Sequence, residues 1–123
     1  MPINRLLLLA AGFCGAVGVA LAAISAHRPD LPNLGTAANM LLFHAPAFLA
    51  LCLMPMNKVR LGGSWALAIG LSLFVGDLAS RAWLGTRLFP MAAPSGGVLM
   101  IGGWLAVGLS AFFRTGTTPS LPS

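Results

Sequence analysis

Charge is what this chain has least of. Of its 123 residues only 7% are charged, with two acids set against seven Lys and Arg, while 58% are hydrophobic. A water-soluble domain carries about 25% charged residues, so this composition excludes a soluble globule. Cysteine is nearly absent too. Cys14 and Cys52 both lie inside apolar runs, where they read as small hydrophobic residues; with no Cys-x-x-Cys motif, neither a disulfide nor a redox or zinc site is expected. The signatures of catalysis are also missing. There is no His-Glu-x-x-His, no Gly-x-Ser-x-Gly, no Walker loop and no pair of carboxylates. Gly12, Gly15 and Gly18 resemble a phosphate loop only by count, because no strand precedes them. The basic residues are scattered singly rather than gathered into a patch, which argues against nucleic-acid binding. No enzymatic activity, cofactor or metal is expected from these residues.

What the chain has instead is four long apolar runs, Leu6–Ala26, Thr36–Met54, Ser64–Leu84 and Gly96–Phe113. A helix needs roughly 20 apolar residues to cross the hydrocarbon of a bilayer. The expected fold is therefore all-α, an integral membrane four-helix antiparallel bundle over residues 1–114, followed by a disordered Ser/Thr/Pro-rich tail at 115–123. The first run exceeds the roughly 7–15 residues of a signal-peptide core, so it reads as a retained helix. Phe13 is too bulky to precede a lipid-modified Cys14.

The connections are short: His27–Gly35 with Pro29 and Pro32, Pro55–Gly63, and Gly85–Ser95 with Pro90 and Pro94. Short connections make consecutive spans antiparallel neighbours. Arg5, Lys58, Arg60 and Arg114 fall on one side with no acid, whereas Arg28 and Arg87 fall on the other. Arg81 lies within the third span and is discounted. By the positive-inside rule both termini are expected in the cytoplasm of a bacterial inner membrane.

Small residues recur every four positions. They are Gly18 and Ala22 in the first span, Ser72, Gly76 and Ser80 in the third, and Gly102, Ala106 and Ser110 in the fourth. Such stripes let helix backbones approach closely where no hydrophobic drive operates. Packing within one bundle is the simpler use, and dimerisation the alternative.

A few polar side chains sit inside the spans. Asp77 and Arg81 are four apart and share a helix face. A carboxylate in hydrocarbon is costly and a pair is cheaper; Arg81, near the end of its span, can snorkel. The pair reads as structural, with ion or proton handling as the alternative. His44 lies in the second span two residues before Pro46, which removes the hydrogen bond to the Leu42 carbonyl and predicts a kink. Asn39 shares the Pro46 face. His44 is expected to be a structural histidine, bonded to a freed carbonyl or to a neighbouring helix. His27, the only other histidine, ends the first span on the same side of the membrane, but His44 should lie about 12 Å deeper. Haem ligation by both in one chain is awkward. Met54 and Met56, a weak hint of copper, belong to the opposite face.

Taken in order, several motifs resemble the family called domain of unknown function 423, which has eukaryotic relatives in the transmembrane protein 256 family. Gly15-Ala16-Val17-Gly18 running to Ala26-His27 resembles its glycine-rich first helix. Phe43-His44-Ala45 resembles its aromatic-His-Ala motif, and Leu73-Phe74-Val75-Gly76-Asp77-Leu78 its Leu-Phe-Ser-Gly-Ser-Leu segment. Pro94-Ser95-Gly96-Gly97 with Gly102-Gly103-Trp104 resembles the opening of its last helix. Val75 and Asp77 depart from the pattern, so Asp77 inherits no role from it. The resemblance implies a four-helix inner-membrane protein with no established activity.

The leading expectation is a non-enzymatic accessory or interaction subunit, held in the lipid bilayer as a homo-oligomer or within a larger membrane complex. One alternative is a small-molecule or ion transporter of minimal size. Small multidrug-resistance transporters are similar in length and span number, but they rely on a carboxylate in the first helix, and here that span has neither Asp nor Glu. Another is a haem- or copper-binding subunit using His27 and His44.

Overall fold

The computed structural model describes residues 2–115. It contains four α-helices: α1 Ile3–His27, α2 Leu34–Leu53, α3 Lys58–Leu84 and α4 Ala92–Leu109, the last continued by a 3-10 turn at Ser110–Phe112. No strand occurs among the described residues. All four helices are long and apolar enough to cross a membrane, so the chain is an all-α, four-span membrane protein. Apart from Thr115, the expected disordered tail lies outside the described residues.

The helices begin earlier than the apolar runs do. α3 starts at Lys58 rather than Ser64, because Asn57 caps it: its Oδ1 accepts the Arg60 N–H at 2.7 Å. A capped helix starts at the residue that satisfies its free N–H groups, not at its first apolar side chain. α3 ends at Gly85, whose φ of +71° is the left-handed conformation that glycine adopts without strain. α4 likewise begins at Ala92 rather than Gly96, with Met91 before it at φ +67°. α2 continues through Pro46 as one helix; the proline faces outward, where no neighbour needs its missing N–H.

The chain folds as two antiparallel hairpins, α1–α2 and α3–α4, with α2 against α3. Lipid tails are as apolar as the helices, so association rests on close packing. The α3–α4 hairpin achieves it backbone to backbone. A Cβ at Gly70 would sit 2.6 Å from the Gly96 carbonyl oxygen, and one at Gly96 would sit 2.6 Å from the Gly70 carbonyl oxygen. Gly63 and Gly103 repeat the approach at 2.9 and 3.0 Å. Both pairs are spaced by seven residues along their helices, with buried Leu67 and Met100 between. Seven residues is two turns with little angular drift, the repeat of a nearly antiparallel helix seam.

The four-residue stripes do not follow this seam, because each step of four rotates about 40° around a helix. Ser72 is exposed, and nothing lies within 4 Å of a Cβ placed on Gly102. Gly76 and Ser80 meet the α3–α4 loop instead of a helix. Ala106 lies beside the seam, where its Cβ would be 3.1 Å from one at Gly63. In α1, Gly18 is buried where a Cβ would sit 2.8 Å from Leu42 Cγ, and Ala22 is half-buried against the core.

α2 supplies the centre of the core with Leu34, Ala37, Ala38, Leu41, Phe48 and Leu51. α1 rests chiefly on α2. A groove of about 420 Å³ runs between α1 and α3, walled by Phe13 and Val17 on one side and Val75 and Trp83 on the other, with Leu41 and Phe48 at its floor.

Candidate functional site

The polar side chains gather at three levels, and two of these lie at opposite ends of α3. At the loop end, Asp77 is fully buried and Arg81 is 35% open. Arg81 Nε stands 3.0 Å from Asp77 Oδ2, a charge contact without the alignment of a hydrogen bond. The other oxygen, Oδ1, accepts the Leu88 backbone N–H at 2.8 Å. Ser80 Oγ donates to the Thr86 carbonyl at 2.7 Å, and Leu88 Cδ2 would lie 3.4 Å from a Cβ on Gly76. The chain after Gly85 therefore turns back and runs down beside the last turns of α3. Asp77 holds that returning segment by its backbone, and Gly76 leaves room for the Leu88 side chain. Both carboxylate oxygens are thus engaged within the chain, one by the Leu88 N–H and one facing Arg81.

His44 occupies the middle level, almost wholly buried on α2. Its Nδ1 donates to the Met40 carbonyl at 2.7 Å, and its Nε2 accepts the Trp104 indole N–H at 3.2 Å. The indole can only donate, so Nε2 carries the lone pair and Nδ1 the proton. The carbonyl it uses is that of Met40, not the one that Pro46 frees at Leu42. The two rings are tilted by 50° with centroids 5.7 Å apart. Both nitrogens are engaged, which leaves His44 no lone pair for a metal. His27 lies at the exposed C-terminal turn of α1. No cluster of three or more metal-ligating side chains forms among the described residues. Asn39 faces outward on α2.

The third level was not apparent from the apolar pattern. Arg60, which falls in a loop by that pattern, lies within α3 and is buried. Its Nε donates to Ser110 Oγ at 3.1 Å, and its Nη1 donates to the Pro55 carbonyl. Ser110 is fully buried and passes its own proton to the Val107 carbonyl at 2.5 Å. Asn57 Nδ2 donates to the Ser110 carbonyl at 3.0 Å, and Ser64 Oγ donates to the Arg60 carbonyl at 2.8 Å. Pro55 follows the end of α2, and Ser110 follows the end of α4. One guanidinium thus sits at two helix C-termini, whose free carbonyls and dipoles favour a cation. That is how an arginine is buried here with no acid beside it. The signal was present in Asn57, a capping residue three positions before Arg60. Trp104 likewise stood at the end of Gly102-Gly103-Trp104.

These features define a small, four-span helical membrane protein whose buried polar groups bind its own helices and loops to one another. The family model described as Protein of unknown function (DUF423) matches residues 14–97, and the chain belongs to that family. It is 29% identical to the UPF0382 inner membrane protein YgdD of Escherichia coli K12, over 94% of this chain and 97% of the relative. The proteins of the same name from Escherichia coli O157:H7 and Shigella flexneri match equally well. No solved structure matches.

Proposed function

We propose that this chain is a non-enzymatic accessory or interaction subunit of a bacterial inner membrane, with both termini in the cytoplasm. The observation that carries the reading is the internal use of its buried polar side chains. His44, Arg60, Ser64, Asp77 and Ser110 each engage a group of this same chain. None is turned toward a shared cavity where a substrate could meet it, and the α1–α3 groove is walled mostly by apolar side chains, with Ser72 there donating to the Ala68 carbonyl of its own helix. What the molecule offers outward is a surface for helix packing, with Asn39 as a polar side chain facing away from the core on a membrane span. Outward amides of this kind bond across helix interfaces. The partner is a second copy or another membrane protein. The inner-membrane location is supported by the inner-membrane relatives, and the orientation by the basic bias of Arg5, Lys58, Arg60 and Arg114.

Purification of the chain from native membranes in a gentle detergent tests this reading. A fixed stoichiometry of copies or of co-purifying membrane protein is expected, and it should fall when Asn39 is replaced by Leu. A monodisperse monomer, unchanged by Asn39→Leu and by added cross-linker, would contradict it. A reporter active on one side only, fused after Ser123, tests the orientation separately.

A further inference from the structure

The Asn57 end of the molecule carries a second feature that the helix packing does not use. A pocket of about 550 Å³ opens between the first turn of α3 and the segment that follows α4. Lys58 and Arg114 line it from opposite walls, and Met56, Val59, Leu61 and Phe113 give it an apolar interior. Asn57 ties the two walls together: its Nδ2 bonds the Ser110 carbonyl at 3.0 Å while its Oδ1 caps α3. The two cations are thus held on a braced frame instead of on free loops. The buried Arg60 guanidinium lies just behind, and both acids of the chain, Asp30 and Asp77, belong to the other end.

We propose that this pocket binds one anionic phospholipid, its phosphate between Lys58 and Arg114 and its acyl chain along Val59, Leu61 and Phe113. The chemistry favours that occupant over a free phosphate or an apolar molecule. A soluble anion would leave the apolar interior empty, and a net-neutral phospholipid offsets its own phosphate with a headgroup cation, leaving the Lys58 ammonium and the Arg114 guanidinium without net counter-charge. A pocket basic at its mouth and apolar within, at the end of membrane-spanning helices, matches both parts of a phospholipid. The inference stands apart from the proposed role as an interaction subunit.

The test uses the full chain in mixed nanodiscs of phosphatidylglycerol and phosphatidylcholine, with the lipid retained after release measured by native mass spectrometry. Wild type should retain one phosphatidylglycerol in preference to phosphatidylcholine. The double variant Lys58→Gln with Arg114→Gln should weaken that retention roughly 30-fold, from the attraction of two cations. Both residues are exposed, so the variant should fold, and its melting temperature checks this. Arg28→Gln with Arg87→Gln removes the same formal charge at the opposite end and should leave retention unchanged. Equal retention of the two lipids by wild type, equal loss in both double variants, or no loss in the first would each overturn the proposal. Inorganic phosphate competing as well as the lipid would overturn the assignment of the acyl chain.

Discussion

The two hairpins of this protein are closed by different means. In α3–α4, glycine backbones meet carbonyl to Cα at Gly70–Gly96 and again at Gly63–Gly103. Polar contacts then fasten both ends: Asp77 and Ser80 hold the loop, and Asn57 and Arg60 hold Ser110. In α1–α2, contact is made through side chains, with Gly18 under Leu42, and a Cβ on Gly15 would lie 3.9 Å from that of Ala45. Its loop carries a solvent-exposed Arg28–Asp30 pair at 2.8 Å. α2 is joined to α4 by the His44–Trp104 bond, whereas no side-chain hydrogen bond ties α1 to another helix among the described residues. In a bilayer, where burial of apolar surface gives no drive between helices, backbone proximity and hydrogen bonds decide which contacts are strong. The comparison teaches that the molecule is two packed hairpins, α1–α2 held through side chains and α3–α4 through backbone contact and polar ties, with the His44–Trp104 bond joining them.

Among the polar contacts, the largest break should come from the loop latch of the tight hairpin. Asp77→Ala removes both the acceptor for Leu88 N–H and the charge facing Arg81, and should cost about 2 kcal/mol in a detergent denaturation series. Asp77→Asn keeps the acceptor and should cost less. Adding Arg81→Gln to Asp77→Asn should recover part of that loss, whereas strict additivity would show that the two residues are uncoupled. Next in size is the tie between the hairpins. His44→Leu strands the Trp104 indole and should cost about 0.6–2 kcal/mol, with His44→Gln milder because it keeps an acceptor. Trp104 fluorescence, separated from Trp65 and Trp83 by difference against Trp104→Phe, should shift in the Leu variant. In the looser hairpin, Gly18→Ala meets the side chains of Leu42 at 2.8 Å and Leu41 at 3.2 Å and no backbone atom, so the contact can be relieved by side-chain adjustment. A loss under about 1 kcal/mol is expected; a loss as large as that of Asp77→Ala would erase the distinction between the hairpins.

The smallest effect belongs to the exposed pair in the α1–α2 loop. The Arg28 hydrogen bond holds the Asp30 carboxyl below its ordinary value of 3.8. A lowered folded pKa means that the contact contributes above the unfolded pKa and is lost as pH falls through the folded one. Between pH 5 and 8 the contribution is constant, and full exposure keeps it slight. Asp30→Asn should leave the melting temperature unchanged across that range.

Much of the fold was legible because the constraint was strong. Four runs of bilayer length and short connections leave little choice but antiparallel helices. The four-residue spacing also set Asp77 and Arg81 on one face, where they now stand 3.0 Å apart. The rest depended on three-dimensional detail that spacing does not carry. A period of four selects Gly102 and Ser72, which face outward, whereas the seam runs at a period of seven through Gly63, Gly70, Gly96 and Gly103. The second partner of Asp77 is a backbone N–H, invisible in any side-chain pattern. Arg60 looked like a loop cation because charge marks the edge of an apolar run, yet two helix C-termini make a buried site for it. The local sequence around His44 does not reveal its partner Trp104, which lies on α4, sixty residues further along the chain.

The most direct test of the account is a matched pair of identical substitutions, Gly70→Ala and Gly12→Ala, melted side by side in the same detergent. Both glycines lie in helix interiors. A methyl on Gly70 meets the Gly96 carbonyl at 2.6 Å, while one on Gly12 meets nothing within 4 Å. Gly70→Ala should lose about 1–3 kcal/mol as the two backbones are forced apart, and Gly12→Ala should be unchanged or slightly more stable. Equal shifts in the two variants would contradict a backbone-closed α3–α4 hairpin and the division of the molecule that rests on it.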